Sequence, residues 1–286
     1  MSWQKWLKVA LRSRSVRFAG SYRASERKGN VAYAPTHQYP VESVRWAQGD
    51  GGEVWFRSGS SDAVLVYDIL FKPGAKSEYW LPAELDPKVI FDIGGNIGVT
   101  TRYLAHRFPE AEIHVFEPIA SNLALLRRNA VGPRIRVHEF GLGSEDGEFE
   151  FTIPLEDQTN EGGYSRFADR PVEGGRVVKG RVRKTSQVLA ELGVEAIDLI
   201  KIDTEGAEFD ILTSFPEEVL SKVSWIYGEL HSKNLDVPSP FRVLDFLSPW
   251  FEVEIAKPMR ARNPFFDACN SARYAQFKSF ARRKIR

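Results

Sequence analysis

The sequence predicts an α/β fold, in which a parallel sheet is covered by helices on both faces. Three observations predict it. From residue 88 onward, short apolar runs alternate with segments whose apolar residues recur at helical spacing. A glycine-rich turn over residues 94–98 stands between the first apolar run and the first of these helical segments. Hydrophobic residues make up 43% and charged residues 27% of the chain, which is the mixture of a globular protein.

Residues 1–80 are predicted to form an extension with a basic helix and short strands, ahead of a main domain over residues 81–286. Trp3, Leu7 and Leu11 fall at helical spacing, with Lys and Arg between them, so an amphipathic helix is predicted. This helix either packs on the body of the protein or lies on an anionic membrane surface, where Trp prefers the interface.

The remaining elements follow in order along the chain. Strands are predicted from β-rich or apolar runs over residues 54–56, 63–70, 88–92, 113–118, 135–140, 197–203, 225–229, 251–256 and 274–280. Helices are predicted after the glycine turn and over residues 120–130 and 205–214. The polar, glycine-rich residues 143–180 are predicted to form a long loop, either a functional lid or a disordered insertion.

The charges exclude some classes of function. With 39 Lys and Arg against 38 Asp and Glu, the net charge of +1 argues against nucleic-acid binding through overall charge. The first 28 and the last 14 residues are basic, and between them 25 basic and 37 acidic residues remain, a net charge of −12. Cys269 is the only cysteine, so a disulfide within the chain is excluded. A cytoplasmic location is expected, with weak contact of the basic ends to a membrane surface as an addition.

The turn after the first main-domain strand is typical of a nucleoside-binding site. Asp92 precedes it, and Gly94, Asn96 and Gly98 form it. Glycine lets a ligand approach the backbone, but Asn96 replaces the second glycine of the dinucleotide fingerprint. An acid beside the turn would repel a pyrophosphate and suits a cationic ligand such as S-adenosylmethionine. Glu117, 19 residues after Gly98, ends the next strand, where a carboxylate can accept both ribose hydroxyls.

Three segments carry a resemblance to a known family. They are residues 91–98 (FDIGGNIG), residues 116–118 (FEP) followed by Asn122 and Leu126, and residues 198–208 (DLIKIDTEGAE). In these segments the chain resembles the FkbM-type methyltransferases, and the third segment is the most specific of them. The resemblance covers about residues 89–231.

The resemblance implies a class I (Rossmann-like) methyltransferase fold, with a seven-stranded sheet whose last strand is reversed. It also implies S-adenosylmethionine as the methyl donor and transfer to an oxygen of a sugar, glycan or secondary metabolite. By position, Asp92, Gly94, Asn96 and Gly98 would line the methionine end of the donor. Glu117 would hold its ribose, and Leu142 would lie near its adenine.

Three side chains at strand ends are the candidate catalytic residues. Asp203 ends one predicted strand, while Glu229 and His231 end the next on one side of the chain. Since ligands bind at the carboxyl ends of parallel strands, the three are expected to converge. His231 is predicted to remove the proton of the acceptor, oriented by Glu229, with Asp203 nearby. Alternatively, the same three residues hold a divalent ion, Mg²⁺ or Mn²⁺.

Other residues and functions keep plainer interpretations. Glu208 is interpreted as an acid in the first turn of the following helix, and Lys201 as one half of an ion pair beneath the sheet. A nucleic-acid methyltransferase is the second functional hypothesis, because basic ends with aromatic residues can bind a strand. The third is a non-catalytic peripheral membrane protein that retains the nucleoside site.

Overall fold

A seven-stranded sheet organises the residues that the computed structural model describes, which are 2–26, 39–153, 162–166, 175–231, 239–257 and 264–277. In chain order the strands are β1 (Val41–Arg45), β2 (Glu53–Arg57), β3 (Val89–Ile93), β4 (Glu112–Phe116), β5 (Ile135–His138), β6 (Gly141–Gly143), β7 (Gly147–Ile153), β8 (Arg176–Lys184), β9 (Leu199–Ile202), β10 (Trp225–Glu229), β11 (Phe251–Lys257) and β12 (Phe265–Asn270). The α-helices are α1 (Trp3–Ser13), α2 (Val16–Ser25), α3 (Asp62–Val66), α4 (Val99–Arg107), α5 (Ala120–Asn129), α6 (Thr185–Leu192), α7 (Glu208–Thr213), α8 (Glu217–Leu220) and α9 (Pro240–Leu247).

The strand order of the central sheet is β11-β12-β10-β9-β3-β4-β5. Strand β12 runs antiparallel to both of its neighbours, β11 and β10, and the five consecutive strands β10, β9, β3, β4 and β5 pair in parallel. The predicted α/β class and the reversed strand near the sheet edge are confirmed. The chain builds outward from β3 in both directions, so the crevice between β3 and β9 is the position at which such sheets bind ligands.

Alternate residues of the central strands pack into two apolar clusters. Ile90 faces a cluster that contains α4 and the N-terminal helices, and its neighbour Phe91 faces a cluster that contains α6, α7 and α9. This alternation is the two-residue period of a strand that is buried on both faces. The first cluster also contains Val9 and Phe56, so one apolar core is continuous across residue 80.

The N-terminal extension differs in part from its prediction. The amphipathic helix is confirmed as α1, and β1 pairs with β2 in an antiparallel hairpin. Residues 63–70, predicted as a strand, instead form α3 and a π-helical turn over Tyr67–Phe71. The buried residues Ala63, Val66, Tyr67 and Leu70 recur at helical spacing, which a β-rich composition obscured.

Two further segments correct the sequence prediction. The strand predicted over residues 274–280 is wrong where it is described, because Ser271–Gln276 forms a 3₁₀ helix. The last strand among the described residues is β12. The loop predicted over residues 143–180 contains β7 and β8, which pair antiparallel and, with β6, form a small second sheet. Residues 154–161 and 167–174 of that loop, and residues 278–280, lie outside the described residues. Within the described part of the chain, no helix combines the length and apolar character that crossing a bilayer requires.

Candidate functional site

A cavity of about 250 Å³ opens at the carboxyl ends of the central parallel strands. Gly94 and Asn96 line it from the turn after β3, and Glu117 lines it directly after β4. Asp203, after β9, and Glu229, the last residue of β10, form the opposite side. The cavity therefore occupies the crevice that the strand order creates. It joins four of the six predicted donor residues to two of the predicted catalytic residues.

The glycine turn is supported from below by a buried ion pair. Asp92 is fully buried, accepts a hydrogen bond from Thr101 Oγ1 at 2.6 Å, and lies 3.3 Å from Lys201 Nζ. Lys201 Nζ also donates to the carbonyl oxygen of Gly94 at 2.5 Å, so the predicted pairing of this lysine with an acid is confirmed. Asp92 thus lies beneath the turn, away from the cavity wall on which the sequence placed it.

The backbone conformation of the turn requires glycine at two positions. Gly94 has φ +82°, and a Cβ there would overlap the carbonyl oxygen of Asp203. Gly98 has φ +81° and begins α4 as its N-cap residue, packed against Leu126 rather than on the cavity wall. Glycine tolerates this left-handed conformation, which other residues adopt only at a cost.

Glu117 is buried at the cavity wall and is already held in place. Its Oε2 accepts from the backbone N–H of Asn96 at 2.7 Å, and its Oε1 from the backbone N–H of Ile119 at 2.9 Å. Burial raises the pKa of Glu117, and these hydrogen bonds oppose that rise. The side-chain Oδ1 of Asn96 is buried with no hydrogen-bond partner among the described residues.

These residues fit S-adenosylmethionine. The carboxylate of Glu117 can accept the two ribose hydroxyls, and Leu142 gives the same cavity an apolar wall suited to a purine. The unpaired Oδ1 of Asn96 is an acceptor for an ammonium group.

The N-terminal extension reaches this donor end through a hydrogen-bonded chain. Arg57 of β2 pairs with Asp62, with 2.7 Å between Nε and Oδ2, and donates to Asn122 Oδ1 at 2.9 Å. Asn122 in turn lies 3.4 Å from Glu117 Oε1. Val64 and other residues of α3 line the cavity itself. Sequence reasoning missed these contacts, because Arg57 and Asn122 are 65 residues apart and share no motif.

At the end of the cavity formed by Asp203 and Glu229, four carboxylates surround one buried histidine. His231 Nδ1 lies 2.9 Å from Glu208 Oε1. Its Nε2 lies 3.5 Å from Glu205, 3.6 Å from Glu229 and 3.9 Å from Asp203. The predicted convergence of Asp203, Glu229 and His231 is therefore what the structure contains, but Glu208 rather than Glu229 orients the ring.

Electrostatics make this histidine a cation. Burial alone would lower the pKa of His231, but Glu208 and Glu205 outweigh it and raise the pKa to about 10. Burial and the Asp203 carboxylate raise the pKa of Glu229 to about 8. His231 is also absent from the cavity wall, which Asp203, Glu205 and Glu229 form in front of it. The neutral, substrate-facing base predicted at His231 is corrected accordingly.

Two residues of this cluster are not among the site residues predicted from the sequence. Tyr79 donates its hydroxyl hydrogen to Asp203 Oδ2 at 3.0 Å, although it precedes the sheet and is 124 residues away in sequence. Glu205 adopts φ +57°, a left-handed conformation that is uncommon outside glycine and concentrates at functional sites. The Glu-Gly pair at 205–206 is a sequence signal for the unusual backbone at Glu205. No pattern in the sequence indicates that Tyr79 contacts Asp203.

A divalent ion would find a different ligand set from the predicted one. Asp203, Glu205 and His231 each offer a ligand atom, and these atoms lie within 4.8 Å of one another. Glu205 therefore replaces Glu229 in the predicted ligand set. An imidazole binds a metal only when its nitrogen is unprotonated, so an ion would have to displace the proton that the carboxylates hold on His231.

Comparison with known proteins identifies the family of this chain. Residues 92–252 match the family described as the methyltransferase FkbM domain. The 2-O-methyltransferase NoeI of Sinorhizobium fredii is 31% identical over 181 residues, which is 59% of this chain and 73% of that protein. The 31-O-demethyl-FK506 methyltransferase FkbM of Streptomyces tacrolimicus is 29% identical over 52% of this chain and 67% of its own length. The chain also matches the AMB antimetabolite synthetase AmbE of Pseudomonas aeruginosa at 32% identity, spanning 8% of that much longer protein. Because the family match covers more than half of its residues, the chain belongs to the FkbM methyltransferase family.

Proposed function

We propose that this protein transfers a methyl group from S-adenosylmethionine to a hydroxyl of a sugar, glycan or secondary metabolite. The observation that carries the proposal is one cavity with a nucleoside-type end at Glu117 and a carboxylate end at Asp203. Two of the relatives are named as methyltransferases that act at oxygen, which supports the choice of acceptor atom.

The donor end contributes binding and orientation. When bound, S-adenosylmethionine supplies a methyl group that is already activated by a positively charged sulfur. Glu117 holds the ribose, and Asn96 and Gly94 place their polar groups beside the methionine end. The carboxylate of Asp203 faces the same cavity and favours a positively charged ligand there.

The acceptor end aligns a hydroxyl and accepts its proton. The acceptor oxygen forms a bond to the methyl carbon while the bond from that carbon to sulfur breaks, and the hydroxyl proton passes to a carboxylate. We assign that role to Asp203, because Tyr79 fixes its Oδ2 and the carboxylate faces the cavity. Glu229 is less suited, since its raised pKa keeps it protonated near neutral pH. His231 is a positioning residue whose charge holds the carboxylates together.

The two other functional hypotheses are not favoured. A nucleic-acid chain carries a phosphate on every nucleotide, and the carboxylates of Glu78, Glu117, Asp203 and Glu205 on the cavity wall would repel it. A protein that only retained a nucleoside site would have no need for an acceptor end with a buried histidine and its carboxylates.

The decisive experiment follows a labelled methyl group from the donor into a panel of monosaccharides, glycans and hydroxylated secondary metabolites. An ether product is expected, which mild alkali does not cleave, unlike a methyl ester. Asp203→Asn should lose about 10²–10⁴-fold in turnover while it still binds the donor. Asp86→Asn, an exposed acid, is the matched control. Donor binding without transfer to any hydroxyl, or label in a nucleic-acid fraction, would refute the proposal.

A divalent ion stays a separate prediction, and the same assay tests it. If the proton on His231 occupies the place of an ion, dialysis against a chelator leaves turnover unchanged. Loss of turnover that Mg²⁺ or Mn²⁺ restores would instead assign Asp203, Glu205 and His231 as metal ligands.

A further inference from the structure

Helix α1 carries an exposed apolar stripe that the rest of the described chain does not cover. Trp3 and Leu11 are each 68% exposed, and Leu7, between them in the stripe, is also exposed. Val16, the first residue of α2, is 69% exposed. Positions 3, 7 and 11 lie four residues apart, so their side chains follow one another along a single line of the helix surface.

The opposite part of the same helix already packs on the body. Val9 is fully buried in the large apolar cluster, and Trp6 and Ala10 pack against that cluster. At about 100° per residue, the apolar residues of α1 span an arc of about 200°, and the body covers roughly half of it. The apolar surface is therefore wider than packing within the chain requires.

Side-chain hydrogen bonds cap helix α1 and fix it to the body, so the exposed apolar stripe lies on an ordered helix. The side chain of Ser2 caps its first turn, and Ser13 Oγ donates to the carbonyl oxygen of Val9 at 2.7 Å. Arg12 donates to the hydroxyl of Tyr67 at 2.9 Å. Trp3 stacks on Trp6 with ring centroids 4.9 Å apart.

Positive charge borders the stripe. Lys8 and Arg14 are exposed, stand within four residues of Leu11, and have no ion pair among the described residues. The nearby Lys5 and Arg17 are paired with Glu26 and Glu42. Across the first 28 residues, eight basic side chains accompany one acidic side chain.

We propose that this surface, formed by Trp3, Leu7 and Leu11 with Lys8 and Arg14, docks the protein on an anionic lipid bilayer. The apolar side chains enter the boundary between headgroups and acyl chains, and the two cations contact lipid phosphates. A tryptophan at the interface and cations beside an apolar face are what such a surface requires.

The charges favour a bilayer over the other partners that an apolar stripe could meet. A second copy of the chain would bring the same cations face to face with Lys8 and Arg14, and like charges repel. The phosphates of a nucleic acid could pair with the two cations, but a nucleic acid has no hydrocarbon layer that could bury Leu7 and Leu11.

The test is flotation of the full-length protein with lipid vesicles. One set contains phosphatidylcholine alone, and the other contains phosphatidylcholine and phosphatidylglycerol in equal parts. We expect the bound fraction to be higher on the anionic vesicles, giving about tenfold or more tighter partitioning that weakens as salt is added. Lys8→Glu with Arg14→Glu should remove most of that difference. Trp3→Ala with Leu11→Ala should lower binding to both kinds of vesicle by about tenfold.

Matched variants elsewhere on the surface control for loss of charge or apolar area. Phe241→Ala removes a side chain on α9 that is 69% exposed, and Lys76→Glu with Lys222→Glu reverses two exposed lysines. Both should float like the unchanged protein, and thermal unfolding verifies that every variant is folded. Equal flotation of stripe and control variants would overturn the proposal. Dimerisation that the stripe variants abolish, or retention by RNA without flotation, would also overturn it by assigning the surface to another partner.

Discussion

Glu117 accepts hydrogen bonds from two backbone N–H groups and one side-chain amide of its own chain. A carboxylate has about four acceptor positions, so these three bonds leave one position for a ribose hydroxyl, and the long 3.4 Å contact with Asn122 can give way to the second. The same contacts fix the direction of the carboxylate before a ligand arrives, which lowers the entropy cost of binding.

Glu117→Gln is expected to weaken donor binding by about 1–3 kcal/mol. The amide keeps the size of the side chain. Its NH₂ group, however, would face a backbone N–H group in place of a carboxylate oxygen, and it cannot accept a hydroxyl hydrogen. Isothermal titration with S-adenosylmethionine measures the change, and Glu110→Gln on the exposed surface is the control. An unchanged affinity in a folded Glu117→Gln protein would remove this residue from the donor site.

The histidine cluster predicts how stability depends on pH. The folded state raises the pKa of His231 from its usual 6.5 to about 10, so the stabilisation is fully present below pH 6.5 and is lost as the pH rises toward 10. The pKa of Glu229, raised from 4.5 to about 8, acts in the same direction over its own range. Both groups bind protons more tightly in the folded state.

The melting temperature without donor should therefore fall as the pH is raised from 6.5 to 10. His231→Gln should show a shallower dependence, because it cannot release the proton. Circular dichroism at a series of pH values measures this, with His106→Gln as the exposed histidine control. Parallel curves for the unchanged protein and His231→Gln would contradict the assignment of a charged histidine.

At the scale of elements, the ion pair between Asp92 of β3 and Lys201 of β9 holds the glycine turn against its neighbouring strand. Lys201→Met should lower the free energy of unfolding by about 3–5 kcal/mol, because it leaves a buried carboxylate without its counter-charge. Urea denaturation measures this, and Lys222→Met on the surface should be neutral. Combining Lys201→Met with Asp92→Asn should recover part of the loss. A double variant that is less stable than the single one would argue against this pairing.

How well each element could be predicted depends on how it is buried. Strands β3, β4, β9 and β10 are apolar on both faces, so their runs stand out in the sequence. Strand β8 alternates more buried with exposed residues and carries several charges, so its sequence resembles that of a polar loop. Helices α2, α6, α8 and α9 were not predicted, and α3 is too short for its spacing to outweigh a β-rich composition.

The same limit applies to the site. Asp203, Glu229 and His231 could be predicted to converge, because parallel strands bring their carboxyl ends to one edge. The orienting role of Glu208, and Tyr79 as the partner of Asp203, depend on packing between distant segments. No local pattern encodes those contacts.

For the whole molecule, the shared apolar cluster predicts a single cooperative unfolding transition. Five of the seven tryptophans lie in the first 80 residues, so fluorescence mostly reports on the extension. The single cysteine, Cys269, is buried in β12, so labelling of its thiol reports on the sheet. The two probes should give the same urea midpoint. Separate midpoints would mean that the extension unfolds independently of the sheet.

The positive φ angles of Asn96 and Glu205 bear on laboratory evolution. Glycine at either position would relax the backbone, by about 1 kcal/mol or more, and would at the same time remove a side chain from the cavity wall. A selection for heat resistance alone would thus enrich glycine at both positions and yield sturdier proteins without methyl transfer. Sequencing the survivors of such a selection would show whether the side chains of Asn96 and Glu205 lower the thermal stability of the protein.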